Sequence, residues 1–168
     1  MVRRVSPEIL AFVLLSLASA GLAAFYAGRL PARVATHFGP SGAPDAWGTR
    51  GELLAFTCLF PIATALFILG VAALVARIPD EWQNLPHRDY WLAPERRAAT
   101  HARIRRGILR IGAATMVLLL VVQESVLRAN ADGSGRLGAA MPLALGLYLA
   151  AVGWLLWGMV GGFRRPTG

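Results

Sequence analysis

The chain has 168 residues, of which 56% are hydrophobic and 15% charged, and its mean hydropathy is +0.53. So high an apolar share excludes intrinsic disorder, and the single cysteine, Cys58, excludes a disulfide scaffold. The formal net charge is +8, and all 17 basic residues are arginines, a bias typical of GC-rich bacterial genes. Composition therefore predicts a membrane protein without a large soluble catalytic domain.

Four apolar stretches predict four transmembrane helices. Each is long enough to cross a hydrocarbon core of ~30 Å, and lipid offers no hydrogen-bond partner to a backbone that is not helical. The stretches are residues 9–27, 53–76, 107–127 and 137–163. We therefore expect an all-α integral membrane protein with a single domain. A short ordered extracytoplasmic loop (28–52) follows the first helix, and a basic cytoplasmic loop (77–106) follows the second.

The first apolar stretch also fits a secretory signal peptide. Arg3 and Arg4 precede a short apolar core that ends in Ala18-Ser19-Ala20, the small-residue pattern of a cleavage site. Cleavage would leave three spans. The apolar character continues to Tyr26, however, which gives a full-length span with an aromatic residue near its far end. We therefore expect an uncleaved helix.

The arginines are distributed unequally between the two sides of the predicted bundle. Twelve lie in the terminal segments, in the loop at 77–106 and at Arg110 just beyond it, whereas five lie on the other side. Basic residues near the ends of spans are retained in the cytoplasm. We therefore expect a multi-pass protein of the bacterial cytoplasmic membrane with both termini inside. The five arginines expected outside are Arg29, Arg33, Arg50, Arg128 and Arg136.

The predicted extracytoplasmic loop is polar and rich in glycine and proline, yet it contains Val34, Phe38 and Trp47. These apolar residues predict an ordered segment that lies over the helices as a small lid. Gly39-Pro40-Ser41-Gly42 predicts a turn between two extended pieces. Ala43-Pro44-Asp45 predicts a second turn before the tryptophan.

The same loop carries a motif of several unlike residues, namely Thr36-His37-Phe38, Gly42, Pro44-Asp45, Trp47-Gly48 and Arg50. This motif is similar to a bacterial membrane domain, the domain-of-unknown-function family 1648, which also precedes the core of SdpI-type immunity proteins. The segment 84–97, from Asn84 through Pro86 to Arg97, resembles the cytoplasmic loop of many stand-alone members. The resemblance implies a small multi-span membrane protein linked to immunity or sensing, and it implies no particular reaction.

His37 is the histidine with the most candidate partners, because Asp45 and Glu52 lie in the same loop. Such a group could bind a metal or carry a proton. His87 and His101 are predicted on the other side of the membrane, so a site with several histidines is not expected. We favour a structural hydrogen bond within the loop and expect neither a metal nor a cofactor.

Glu124 is the only acidic residue inside a predicted span. A carboxylate in hydrocarbon is costly, so it suggests a proton or ion site. The alternative is an ion pair at the membrane boundary, because Arg128 lies four residues further along the helix in the favourable order. We favour the ion pair.

A helix is predicted to begin at Pro94, where a missing amide proton is tolerated, and to run into the third span. Its arginines would form a basic collar that attracts anionic lipid headgroups. Nucleic acid is not expected as a partner, because no nucleic-acid module accompanies them. Tyr90 and Trp91 would serve either as interfacial anchors or as a docking surface. The collar consists of Arg96, Arg97, Arg103, Arg105, Arg106 and Arg110.

These features favour an immunity, sensing or interaction protein that binds a peptide or protein at the outer loop. The alternative is a small transporter or channel component that uses Glu124, with the oligomeric state left open. We expect no enzyme, since neither a nucleophile–base arrangement nor a phosphate-binding glycine loop is present. The candidate binding residues are His37, Phe38, Asp45, Trp47, Arg50, Asn84, Pro86, Tyr90, Trp91, Arg96 and Arg97.

Overall fold

The structure, a computed structural model, describes residues 6–164, so that Arg3, Arg4 and Arg165 lie outside the described residues. Five α-helices make up most of this part of the chain, and four of them are long and apolar enough to cross a membrane. The predicted helical class and four candidate spans are therefore confirmed. The helices are α1 (Pro7–Ala27), α2 (Arg50–Leu74), α3 (Arg88–Trp91), α4 (Pro94–Ala131) and α5 (Ala140–Gly161).

Local sequence explains where the first two helices begin. Ser6 caps α1 by accepting a hydrogen bond from the Ile9 amide, and Pro7 takes the first helical position, where its missing N–H costs nothing. A capping box starts α2. The Thr49 hydroxyl accepts from the Glu52 amide, and the Glu52 carboxylate accepts from the Thr49 amide at 2.7 Å. With this capping box, α2 begins at Arg50, before the apolar stretch at 53–76.

α4 is a single helix of 38 residues that starts at Pro94, as the sequence predicts. No break separates its arginine-rich half from its apolar half. At 1.5 Å per residue it is about 57 Å long, well beyond the ~30 Å hydrocarbon thickness. α5 begins at Ala140, three residues later than the apolar stretch; Leu137 lies in the connection before it, where its amide donates to the Gly42 carbonyl at 2.9 Å.

The chain between α1 and α2 forms an antiparallel β-hairpin of two six-residue strands, β1 (Arg33–Phe38) and β2 (Pro44–Thr49). Val34 pairs with Gly48 near its base, and the register shifts by a bulge between Ala35 and His37. The all-α description is therefore corrected to a helical bundle with one small sheet. Apolar periodicity did not reveal these strands because the loop is short and dominated by polar and turn-forming residues.

One of the two predicted turns closes the hairpin. The Gly39 amide donates to the Ala43 carbonyl, and Gly42 adopts the left-handed conformation at φ +76° that glycine tolerates. The second turn, predicted at 43–45, is wrong. Pro44 pairs with Phe38 and begins β2, a position at which proline is tolerated in a strand.

α4 lies at the centre of the bundle and packs against α1, α2 and α5. At its middle, Gly112 lets Phe12 of α1 and Ile68 of α2 approach its backbone, since a Cβ there would lie 2.8 Å and 2.6 Å from them. The three helices meet at this point. The surrounding buried cluster consists of Phe12, Ala65, Ala72, Leu109 and Met116.

A second buried cluster joins the base of the hairpin to the C-terminal ends of α1 and α4 and to the N-terminal end of α2. Val34 and Leu127 are completely buried within it. α5 differs from the other long helices, because it packs mainly against α4 and none of its residues is buried. The other members of the second cluster are Tyr26, Leu30 and Leu53.

Candidate functional site

The hairpin is fixed to α4 through its backbone by Asn130. The side-chain oxygen of Asn130 accepts the Ala35 amide at 2.7 Å, and its nitrogen donates to the Ala35 carbonyl at 2.9 Å. That nitrogen also donates to the Val126 carbonyl one turn back. Because Ala35 is only 1% exposed, its two backbone groups are satisfied by this one amide in place of water. The hairpin and α4 therefore behave as one unit at this point.

Two further contacts hold the turn of the hairpin to the connection between α4 and α5. The Leu137 amide donates to the Gly42 carbonyl, and the Arg136 guanidinium donates to the Ser41 carbonyl at 3.1 Å. In the same connection the Ser134 amide donates to Asp132 at 2.9 Å and holds the pKa of that carboxyl below its ordinary value. The hairpin is thus held at its base and at its tip.

The outward face of the hairpin carries three of the five binding residues predicted for this loop. His37 Nδ1 lies 2.5 Å from Asp45 Oδ1, and these side chains are 70% and 53% exposed. This is the hydrogen bond that the sequence favours over a metal site. Trp47 is 51% exposed, and the guanidinium carbon of Arg33 lies 5.5 Å from the centre of its ring. The His37–Asp45 pair and the Trp47 indole therefore form a solvent-exposed surface.

Two predicted residues of this loop do not share that surface. Phe38 is half-buried at the turn end of β1. Arg50 begins α2, and its guanidinium donates to the Leu30 carbonyl at 3.4 Å, so it supports the base of the hairpin. Glu52, considered as a partner of His37, is engaged in the capping box.

Among residues 6–164, no group of three His, Cys, Asp or Glu side chains could hold a metal ion.

At the opposite end of α4, the loop at 77–106 folds back on the end of α5. The Trp91 indole donates to the Phe163 carbonyl at 3.0 Å, and the two rings meet edge to face with centroids 5.5 Å apart. The Thr100 hydroxyl of α4 donates to the Trp91 carbonyl at 2.8 Å. Trp91 therefore contacts the chain itself and does not form a free docking surface.

Tyr90, Arg96 and Arg97 are also used within the loop. The Arg96 guanidinium lies 4.0 Å from the centre of the Tyr90 ring and donates to the Tyr90 carbonyl at 2.8 Å. Arg97 forms an ion pair with Asp80. Of the residues predicted for this loop, Asn84, Pro86 and Arg97 are exposed, and among these three Arg97 is held by its ion pair. A partner on this side would meet Asn84 and Pro86 first.

Glu124 forms the ion pair that its spacing predicts. Its Oε1 lies 2.5 Å from Arg128 Nη2, and the Tyr26 hydroxyl of α1 donates to the same oxygen at 3.4 Å. The neighbouring Gln123 points elsewhere, since it is buried and donates to the Thr57 carbonyl of α2 at 3.1 Å. Glu124 is therefore a partnered carboxylate that links α1 with α4.

Sequence reasoning missed Asn130 and Gln123, the two amides that join α4 to other elements. Each lies near the end of an apolar run and resembles an ordinary boundary residue. The partners, Ala35 and Thr57, are 95 and 66 positions away. The available signal was weak: an amide beside an apolar span often satisfies a backbone group that no other residue reaches.

Asn130 and Thr100 hold the two ends of the molecule on one helix. They are thirty residues apart along α4, which corresponds to about 45 Å. The candidate residues of the hairpin and those of the loop at 77–106 therefore do not form one site. They form two separate surfaces, which the unbroken helix α4 connects.

A family model described as Domain of unknown function (DUF1648) matches residues 14–60. The match contains the hairpin and parts of α1 and α2, and it confirms the family resemblance of the motif at 36–50. The segment 84–97 lies outside it. A relative from Archaeoglobus fulgidus, described as an uncharacterized protein, is 35% identical over 79 residues, covering 38% of this chain and 43% of the relative. The chain thus spans less than half the length of this relative, and no solved structure matches it.

Proposed function

We propose that this protein is a multi-pass protein of the bacterial cytoplasmic membrane that binds a ligand at its hairpin and signals to the opposite end through α4. One observation carries the proposal: Asn130 bonds both backbone groups of Ala35 to α4, and α4 continues unbroken to the loop at 77–106. A force on the hairpin therefore acts on α4, which reaches both the hairpin and the loop at 77–106.

The proposed orientation places the hairpin outside and both termini inside. It rests on the unequal arginine distribution, with the smaller group around the hairpin. In this orientation the exposed His37, Asp45 and Trp47 face the medium. Asn84 and Pro86 face the cytoplasm, where a protein partner would read the signal.

The proposed ligand is a peptide or protein. The hairpin offers an aromatic ring beside a polar pair on a fixed backbone, which suits a partner that supplies both apolar and hydrogen-bonding groups. The sequence resemblance to the domain that precedes the core of SdpI-type immunity proteins supports immunity to a peptide toxin, or sensing of one. A transporter role is weaker because Glu124 is already partnered by Arg128 and Tyr26. We propose no catalytic role.

A photocrosslinking experiment in the native membrane tests the hairpin surface. A benzophenone amino acid replaces Trp47, and in a matched control it replaces Trp82, which is 76% exposed at the other end. We expect a crosslinked peptide or protein at position 47 that is absent at position 82. The double variant His37→Ala, Asp45→Ala should remove this product while the protein level in the membrane stays the same.

A loop replacement provides the decisive test. Residues 33–49 are replaced by a flexible linker of equal length, and the variant is introduced into a strain from which the gene has been deleted. We expect the linker variant to fail to restore the wild-type phenotype. Full restoration would overturn the proposal, because the hairpin would then be dispensable.

A second crosslinking arm tests the cytoplasmic surface. Asn84→Ala with Pro86→Ala is the appropriate variant, because both side chains are exposed, whereas Tyr90, Trp91 and Arg96 hold the loop together. A partner captured by the intact protein and lost from this variant would support signalling through the loop. Equal capture by both proteins would contradict it.

A further inference from the structure

A cavity of about 520 Å³ lies between α4 and α5 at the arginine-rich end of the bundle. Arg103, Arg106 and Arg110 line it from α4, and apolar or small residues line it from α5. The latter include Trp154, Gly158 and Met159. The cavity belongs neither to the hairpin surface nor to the exposed part of the loop at 77–106.

Helical spacing explains why three arginines meet in this cavity. Residues 103, 106 and 110 follow one another at intervals of three and four, so they share one face of α4. Gly107 lies on the same face, and a Cβ there would lie 2.5 Å from the sulfur of Met159. The two helices therefore approach closely at Gly107, and the arginines surround this contact.

The cavity carries positive charge without a carboxylate to balance it. Among residues 6–164, no acidic side chain lines it, and the ion pairs of that part of the chain involve other arginines. Arg103 donates to the Gly162 carbonyl at 2.8 Å and is held at the end of α5. Arg106 and Arg110 are exposed. Two guanidinium groups are thus available for an anion.

The position of the cavity suits a lipid. Arg110 lies near the start of the apolar stretch at 107–127, and no charged residue follows it until Glu124, so the arginines lie at the boundary between the hydrocarbon and the headgroups. Trp154 is 76% exposed beside them, at the depth where tryptophan is enriched in membrane proteins. The Leu155 and Met159 side chains continue the cavity as an apolar surface. A phosphate with an attached acyl chain would meet complementary groups along its length.

We propose that this cavity binds one anionic phospholipid, with its phosphate between Arg106 and Arg110 and an acyl chain along α5. This site is distinct from a general basic collar, because it uses only one face of α4. Arg105 carries the same charge on another face, where it lines a separate cavity with Ala72 and His101. Arg105 is therefore a matched control for charge.

Lipid retention tests the proposal. The full chain is reconstituted in phosphatidylcholine nanodiscs that contain a minority of phosphatidylglycerol, and the retained lipid is counted by native mass spectrometry. We expect preferential retention of phosphatidylglycerol. The single variants Arg106→Gln and Arg110→Gln should each reduce this preference about fivefold, and Arg105→Gln, which removes the same charge, should leave it within about twofold. An equal loss in all three variants would overturn the site in favour of diffuse attraction.

A further variant keeps every charge and tests whether a loss of lipid reflects the cavity or a misfolded protein. Gly158 lines the cavity and nothing lies within 4 Å of a Cβ there, so Gly158→Leu introduces an apolar side chain at the cavity wall. It should lower lipid retention while the protein remains monodisperse. Normal retention in this variant would contradict the acyl-chain position. Displacement of the lipid by excess inorganic phosphate would also overturn the proposal, because it would indicate a site for free phosphate.

Discussion

Asn130 holds the hairpin through the backbone, so the attachment does not depend on which side chain stands at position 35. The Ala35 amide and carbonyl are buried at the edge of β1, where water cannot replace a lost partner. An unsatisfied buried backbone group costs about 1–3 kcal/mol. The stability of the hairpin against opening should therefore depend on one side chain.

Asn130→Ala should loosen the hairpin without unfolding the bundle. We expect faster amide hydrogen exchange in β1, corresponding to about 1–3 kcal/mol of lost protection, and little change in the middle of α4. Hydrogen exchange followed by mass spectrometry of the reconstituted protein measures both. Asn84→Ala, an exposed amide at the other end, serves as the control. Unchanged exchange in β1 would show that the buried apolar cluster alone holds the hairpin.

Glu124 is expected to be structural. Its carboxylate is engaged by Arg128 and by Tyr26, so its contacts join α4 to α1. Proton uptake into vesicles, followed with an internal pH dye, should be equal for the parent and for Glu124→Gln. A proton flux that is present in the parent and lost in the variant would instead support the transporter alternative.

Residue types predicted some contacts well and others poorly. The pairs His37–Asp45 and Glu124–Arg128 were predictable because their members lie eight and four positions apart. The contact of Asn130 with Ala35 was not, because it depends on the way in which two distant segments pack. The same limit applies to Trp91, whose use within the loop depends on Phe163, 72 positions away.

At the scale of the helices, the packing of α1, α2 and α4 depends on a small residue at their meeting point. Gly112 has no Cβ, and the rings and methyl groups of Phe12 and Ile68 occupy the space that a Cβ would need. Gly21, on α1, has nothing within 4 Å of that position. The two glycines therefore differ in environment although both are helical.

Gly112→Ala should lower the thermal stability of the protein, whereas Gly21→Ala should leave it unchanged or raise it. Alanine improves helix propensity at both sites, by up to about 1 kcal/mol. At position 112 the added methyl group also overpacks the contact, which costs about 1–3 kcal/mol. Thermal unfolding in the same detergent compares the two variants. Equal stabilities would show that the helices can separate at this point without cost.

The helices themselves were predictable because apolar length alone identifies a span. Their ends were less so. Leu137, predicted to begin a span, lies before α5 and bonds to the hairpin, and Pro44, predicted in a turn, pairs with Phe38 in the sheet. In both cases the residue makes a contact beyond its immediate neighbours in sequence.

For the whole molecule, the proposed orientation makes opposite predictions for the two ends. Ser41 lies in the exposed turn of the hairpin, and the side chain of Asp89 is fully exposed at the other end. Single cysteines are introduced at these positions after Cys58→Ala. A membrane-impermeant maleimide should label Ser41→Cys in intact cells and Asp89→Cys only after permeabilisation. The reverse pattern would invert the topology.

The attachment of the hairpin also sets an order of events during biosynthesis. Ala35 and Asn130 are 95 positions apart, so the hairpin leaves the ribosome well before its partner. At 5–20 residues per second this delay is about 5–20 s. During that time the edge of β1 has no partner, so in the proposed orientation it is open to extracellular proteases and quality-control factors. Nascent chains that stop before residue 130 would keep this exposed edge, and only completion of α4 would protect it.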